Sequence, residues 1–256
     1  MKLNKENDSI NSFASKNLQN EKKLLIFSAH PDDHLSCAGT ALFLKDLGFE
    51  ISEVVFTSGE KSVNNLSKEN SLSADLKKIR SEEFKKASKI LGTKNVYCLN
   101  QPDSNVSRSP ELIDVLIKII RKEKPLIAIS ENPNDYHFDH KQVGKIVVEA
   151  LDRAGWGISS NLGKKHKTPV GLFMGSLIQN EKNDISVDVT EYWDKKLEIL
   201  KVYGSQTSDM TFQLNEALGK YFGFYQRTKF AESFEIMQNF PIKLNILLEK
   251  ILYGKM

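Results

Sequence analysis

Leu24-Leu25-Ile26-Phe27-Ser28-Ala29 is a short unbroken apolar run, and His30-Pro31-Asp32-Asp33-His34 follows it at once. A run that short, apolar at every position rather than at every second one, is the pattern of a strand buried on both faces. Strands of that kind belong to parallel sheets covered by helices. The chain repeats the arrangement downstream, where Leu126 to Ile129 is apolar and His137-Phe138-Asp139-His140 comes soon after. Four of the five histidines fall in these two windows. In open α/β sheets the loops at the strand ends carry the active site.

Between and beyond the windows, strand and helix patterns alternate. Ala38 to Leu47 reads as a helix stopped by Gly48, and Val54 to Phe56 as the centre of a second strand. A polar loop runs to about residue 70. Ser73 to Leu91 then places Leu76, Ile79, Ala87 and Ile90 on one helical face before Gly92. Val96 to Leu99 is a third strand. Ser109-Pro110 starts a helix to about Lys122, with Ser as N-cap and Pro at the first position. After the fourth strand, the second histidine window sits on a loop and Gln142 to Ala154 is helical. Four strand-then-helix units in series predict an α/β, Rossmann-like three-layer sandwich around a mostly parallel sheet.

The C-terminal part reads as a smaller extension. Residues 155–169 lack periodicity and form a long exposed loop. Leu172 to Leu177 and Ile185 to Val189 are two more strands, with a turn near Asn180 to Asn183. Helices follow at Glu191 to Tyr203, Leu214 to Phe224 and Leu244 to Leu252. No linker divides the chain, so a flexible arm over 1–22 and a single domain over 23–256 are expected. The loops at 61–72 and 155–169 are expected to rim the pocket.

Composition is that of an ordinary globular protein, with 40% hydrophobic and 27% charged residues and a net charge of +3. The lysines are scattered, which gives nucleic acid no concentrated basic face. No stretch approaches the ~18 apolar residues of a membrane span, and the polar N-terminal residues lack a secretory signal's apolar core. Two cysteines, Cys37 and Cys98, are too few for a disulfide framework. The expected setting is cytoplasmic and the expected partner a small molecule; a homo-oligomer stays open.

Histidine and aspartate together suit a borderline divalent ion such as zinc, and a hydrolytic centre needs about three protein ligands and one open position. His30 and Asp33, on one tight turn, can approach an ion from one side, and one histidine of the second window can complete the set. Asp32 is then a neighbour of the ligands and free to take a proton. The remaining histidine can donate a proton or steady an oxyanion. The rival for the first window is a plain turn, with Pro fixing φ and Asp33 or Ser36 capping the next helix. His166, alone in a lysine-rich loop, reads as an ordinary exposed histidine.

At these residues the chain resembles a known family. Ala29-His30-Pro31-Asp32-Asp33 is similar to the AHPDD signature of the LmbE-like, or PIG-L, zinc-dependent de-N-acetylases. His137-x-Asp139-His140 resembles the family's HPDH segment, with Phe138 where Pro is usual. Thr57-x-Gly59-Glu60, Arg80-x-x-Glu83 with Ala87 and Leu91-Gly92, and Asp103 follow in order. Tyr203-x-Ser205-Gln206 and Ala231-Glu232-x-Phe234 resemble weaker C-terminal features.

The resemblance implies hydrolysis of an N-acetyl group from an amino sugar or sugar conjugate. It makes His30, Asp33 and His140 the ligands of Zn2+ or another divalent metal, and Asp32 the general base. It makes His137 the acid or oxyanion partner, oriented by Asp139, and places Arg80 and Asp103 against substrate. The family commonly has Glu where this chain has His34; whether His34 tunes the metal's surroundings or reaches the metal or substrate stays open. Rival activities are an amidase for another acylated amine, such as a thiol conjugate, and a sugar-binding relative altered in catalysis. A nucleotide-binding role is disfavoured, because the turn after the first strand lacks the Gly-x-Gly that admits a pyrophosphate.

Overall fold

The computed structural model describes residues 22–62, 73–175 and 183–237. Seven strands form one sheet: β1 (Lys23–Ser28), β2 (Glu50–Thr57), β3 (Asn95–Gln101), β4 (Ile127–Ser130), β5 (Val170–Met174), β6 (Ile185–Asp188) and β7 (Ala231–Ile236). Their order is β3-β2-β1-β4-β5-β7-β6. Strands β1 to β5 run parallel to one another, whereas β7 runs antiparallel to both β5 and β6. The helices are α1 (Ala38–Asp46), α2 (Ser73–Leu91), α3 (Pro110–Glu123), α4 (Phe138–Ala154), α5 (Trp193–Val202) and α6 (Asp209–Gln226).

The unbroken run at β1 buries side chains on both faces. Leu25 and Phe27 join one core with Leu116, Ile120 and Val147 of α3 and α4. Leu24 and Ile26 join the other with Ala41, Leu91 and Ile199 of α1, α2 and α5. This period-2 division of one apolar strand between two cores is what a sheet with helices on both sides requires. Helix α3 begins as its sequence indicates, with the Ser109 side chain accepting from Leu112 N and Pro110 in the first turn.

The chain moves outward from β1 through β2 to β3, then returns to place β4 on the other side of β1. The crevice at the C-terminal ends of β1 and β4 is therefore the switch point of the sheet.

Several expectations are corrected. Helix α4 starts at Phe138 rather than Gln142, so Asp139 and His140 lie on its first turn and not on a loop. His137 is the N-cap, its Nδ1 accepting from Asp139 N, and an imidazole in that role conceals the helix start from a search for Ser, Thr, Asp or Asn. Strand β7 has no counterpart in the sequence reading. Its Glu232, Ser233 and Glu235 are buried and polar, which hides the strand from an apolar pattern. The loop 155–169 leaves the C-terminal end of α4, the end away from His140, and does not rim the crevice. Arg121 gathers that loop, donating to the carbonyls of Ala154, Trp156, Ile158, Ser159 and Gly163. His166 is partly buried, with Nε2 2.8 Å from Pro125 O. The expected arm at 1–22, most of the loop at 61–72 and the helix at Leu244 to Leu252 lie outside the described residues, apart from residues 22, 61 and 62. Among the described residues no helix is long and apolar enough to cross a membrane.

Strand β7 is tied to the start of α1 by one carboxylate. Glu232 accepts from Gly39 N at 3.0 Å and Thr40 N at 2.7 Å, and it pairs with Lys196 Nζ at 2.7 Å. The acid thus caps α1 from a distant strand, and both members of the ion pair are buried. Glu232→Ala leaves a buried ammonium and two helix N–H groups without partners. The expected loss is about 3–5 kcal/mol of stability, read from urea denaturation; an unchanged midpoint would show that the link contributes nothing.

Candidate metal centre

The two histidine windows meet across the β1–β4 crevice. Leu24 to Phe27 pair in register with Ile127 to Ser130, which brings the segments after both strands side by side. Three side-chain atoms converge there. His30 Nδ1 lies 3.2 Å from Asp33 Oδ2, His140 Nε2 lies 3.3 Å from the same oxygen, and the two nitrogens are 3.3 Å apart. Ligand atoms at zinc's usual bond lengths and tetrahedral angles are about 3.3–3.4 Å from one another. The triangle therefore fits three corners of a tetrahedral ion site.

The far side of each imidazole is held by carboxylates. His30 Nε2 is 3.3 Å from Asp103 Oδ1 and 3.3 Å from Asp139 Oδ2. His140 Nδ1 is 3.3 Å from Asp135 Oδ2 and 3.7 Å from Glu131 Oε2. Such partners fix the ring orientation of metal-binding histidines. Ala29 N donates to Glu131 and Lys61 N to Asp103, while Ser104 N and Val106 N donate to Asp139, so the outer carboxylates are themselves anchored.

The electrostatics follow from this crowding. Burial opposes a charge on His140, but Asp33, Glu131 and Asp135 outweigh it and push its pKa up to about 12. Burial likewise opposes the charge on His30, and Asp33, Asp103 and Asp139 raise its pKa well above the ordinary value. Asp33 is held well below the carboxylate range, against its burial, by His140 and His30. Glu131 is pushed up to about 8 by burial, with His140 working against the rise and Asp33 with it. Asp103 falls to about 2: burial opposes the shift, and His30 and the Lys61 N–H produce it.

His137 stands against both rings, its centroid 4.9 Å from that of His30 and 4.7 Å from that of His140. Its pKa is lowered by burial and by the neighbouring positive rings. Because Nδ1 accepts from Asp139 N, the neutral ring carries its proton on Nε2 and is a donor. The Asp139 carboxylate is turned to His30, and only its backbone N–H meets His137.

Asp32, between the two candidate ligands of the turn, forms an ion pair with Arg80 Nη2. Arg80 is buried, and its Nη1 donates to Gly59 O at 2.9 Å and to the Ser62 hydroxyl. It thus faces the Asp32 carboxylate. His34 is fully buried and points away from the triangle, between Glu53 and the Tyr203 hydroxyl. Glu131 and Asp135 are the site's residues that sequence reasoning left out, and Tyr203 stood there only as part of a weaker motif with no role given to it. The position of Glu131 directly after β4 was the available signal.

Two cavities adjoin the centre. A polar one of about 280 Å³ is lined by His30, Lys61, Asp103, Ser104, His137 and Gln206. Another of about 210 Å³ runs from Asp33 and His140 along α6, past Tyr136, Met174, Leu218 and Phe222.

These features define a doubly wound α/β protein whose switch-point crevice holds a histidine–carboxylate centre able to take a divalent ion. Residues 25–151 match the family PIG-L: GlcNAc-PI de-N-acetylase, the PIG-L, or LmbE-like, family. It is similar to diacetylchitobiose deacetylase of Thermococcus kodakarensis, 26% identical over 82% of this chain and 81% of the relative. It is also similar to the probable N-acetyl-alpha-D-glucosaminyl L-malate deacetylase 2 of Bacillus anthracis, 29% identical over 77% of this chain and 87% of the relative. Among solved structures, N,N'-diacetylchitobiose deacetylase from Pyrococcus horikoshii, in complex with the inhibitor MPG, superposes with a TM-score of 0.76 at 25% identity. That match covers 90% of this chain and 92% of the other.

Gly59 makes room for Arg80. Its φ is +64°, and a Cβ there would lie 2.0 Å from Arg80 Nη1. Gly48 has φ +87° and open space around it. Gly59→Ala should cost about 1–3 kcal/mol for backbone strain plus the displacement of Arg80, and so exceed Gly48→Ala, which meets the strain alone. Equal shifts in denaturation midpoint would show that Arg80 moves aside without cost.

Proposed function

We propose that this protein is a metal-dependent hydrolase that removes the acetyl group from an N-acetylated amino sugar or sugar conjugate. The observation that carries the reading is the 3.2–3.3 Å triangle of His30 Nδ1, Asp33 Oδ2 and His140 Nε2 with Asp32 and His137 beside it. The deacetylase activities named for the similar proteins support it. Zinc is the ion we assign, because two imidazoles and one carboxylate at this spacing suit it.

Bound by His30, Asp33 and His140, zinc supplies Lewis acidity for the amide carbonyl and lowers the pKa of water. The residues around it divide the remaining work. Asp32 accepts the proton from the attacking water, its carboxylate held in place by Arg80. His137, neutral with its proton on Nε2, offers a hydrogen bond to the developing oxyanion. The proton taken by Asp32 is then available to the departing amine. Asp103 and Asp139 fix His30, and Asp135 and Glu131 fix His140. The polar cavity beside His30 and His137 supplies side chains for sugar hydroxyls, among them Lys61, Ser104 and Gln206.

His30→Ala and His140→Ala should each abolish stoichiometric zinc and acetate release from N-acetyl sugars. Full turnover by either variant sinks the proposal.

Ion uptake should also release protons. At pH 7 the ion-free His140, with a pKa pushed up to about 12, and His30, raised well above its ordinary value, both carry a proton. A ligand nitrogen must be free of its proton, so each ring gives one up. The stability these protons lend is present at low and neutral pH and is lost as pH rises through the raised values, so zinc uptake should release fewer protons in strong base. Calorimetric titrations with zinc at pH 7 in buffers of different ionisation enthalpy should show about two protons released per ion. No release would mean that the imidazoles are neutral beforehand.

A further inference from the structure

A ring of buried contacts encloses the Pro31–Asp32 peptide. Asp32 pairs with Arg80 of α2. Glu83, three residues along the same helix and so on the same face, accepts from Ser205 N at 2.8 Å and from Ser205 Oγ at 2.6 Å. Two residues before Ser205, the Tyr203 hydroxyl donates to Pro31 O at 2.6 Å. Pro31 precedes Asp32, and the circuit closes. Arg80, Glu83, Tyr203 and Ser205 are all buried.

His34 completes the setting of Tyr203. The hydroxyl has one proton, and it goes to Pro31 O. The 2.9 Å contact between Tyr203 Oη and His34 Nε2 therefore has the imidazole N–H as donor. On its other side His34 Nδ1 meets Glu53, whose second oxygen accepts from Thr93 Oγ1 at 2.5 Å. His34 thus links the tyrosine hydroxyl to Glu53 of β2.

We propose that Tyr203 and Glu83 are positioning residues for Asp32. Together with Arg80 and Ser205 they fix both the peptide that precedes Asp32 and its carboxylate relative to the atoms of His30 and Asp33. The proposal rests on the reading of Asp32 as the proton acceptor. The ligand imidazoles are held separately, by Asp103, Asp139 and Asp135. Opening the ring therefore frees Asp32 without releasing the ion. Misplacement of a reacting group by about 1 Å costs on the order of 100-fold in rate, and a carboxylate at the mouth of a crevice has room for such movement: the Asp32 side chain is 29% exposed against 3% for Arg80.

The test compares Tyr203→Phe, which removes only the hydroxyl, with Glu83→Leu and Glu83→Gln. The glutamine keeps an acceptor for Ser205 N and a donor for Ser205 Oγ. Three quantities are read on zinc-loaded protein: bound zinc, kcat and KM for an N-acetyl sugar, and amide hydrogen exchange in the 30–35 turn against β1. Tyr203→Phe and Glu83→Leu should keep one ion per chain, lower kcat by roughly 10–100-fold with KM little changed, and speed exchange in the turn but not in β1. Glu83→Gln should behave like the parent protein. Wild-type kcat or wild-type exchange in Tyr203→Phe overturns the proposal. So does a loss of zinc with exchange speeded everywhere, which is the signature of a merely structural role. Should Glu83→Leu fail to fold, Tyr203→Phe and Glu83→Gln still decide. If the parent protein releases no acetate from any N-acetyl sugar, the functional reading fails, while exchange in the turn still judges the ring.

Discussion

The pairing of β1 with β4 is the constraint on which the rest of the structure depends. The two strands are separated by about a hundred residues of sequence and by two intervening strands, yet they lie side by side in register. That adjacency exists because the chain builds outward from β1 and then returns across it. The strand ends on the two sides of the switch point have no crossing helix between them, so segments leaving them share one crevice. His30 and Asp33 reach it from one strand, and His137 and His140 from the other. Gly144 keeps α4 close: a Cβ there would come within 2.7 Å of the backbone at Glu131 and Pro133. The N-terminus of α4 is thereby seated against the loop that supplies Glu131 and Asp135, which gives His140 its place in the triangle.

Legibility in the sequence followed how a residue's role is encoded. The parallel units were readable because strands buried on both faces leave apolar runs, and β1 divides its residues between two cores as such a run requires. The ends of α2 and α3 were readable because Gly92 and Ser109-Pro110 act through the local backbone. Strand β7 was not, since its inward carboxylates are paired with partners far along the chain, Glu232 with Lys196 and the N-terminus of α1. A sequence shows the charge but not the partner that makes its burial tolerable.

The same limit applied within the site. His30, Asp32, Asp33 and His140 stood out by type and spacing. Arg80 was visible as a residue of interest, but its alignment with Asp32 depends on Gly59 yielding the space for a guanidinium, a contact over 21 residues. His34 shows the limit most clearly. Adjacent in sequence to Asp33, it projects to the other side of the turn, because successive residues of the 3-10 turn Asp33–Cys37 point in different directions. Sequence proximity to a ligand placed it in doubt as a metal-facing group; the fold makes it a brace for Tyr203.

Charge accounts for why so many acids can be buried at one point. Asp33, Asp103, Asp135, Asp139 and Glu131 surround two imidazoles, an arrangement that repels itself unless positive charge is supplied. Protons can supply it: His30 and His140 hold theirs far above the ordinary histidine range, and Glu131 keeps its proton to about pH 8. A divalent ion held by the three atoms of the triangle would supply it as well. Exchange of protons for such an ion leaves the balance of charge nearly unchanged. The outer carboxylates then act on the imidazoles as they did on the imidazoliums: Asp103 and Asp139 still face the N–H of His30, and Asp135 that of His140. A buried acid cluster that would be costly in an empty crevice is thus one that a doubly charged cation, held by His30, Asp33 and His140, would stabilise.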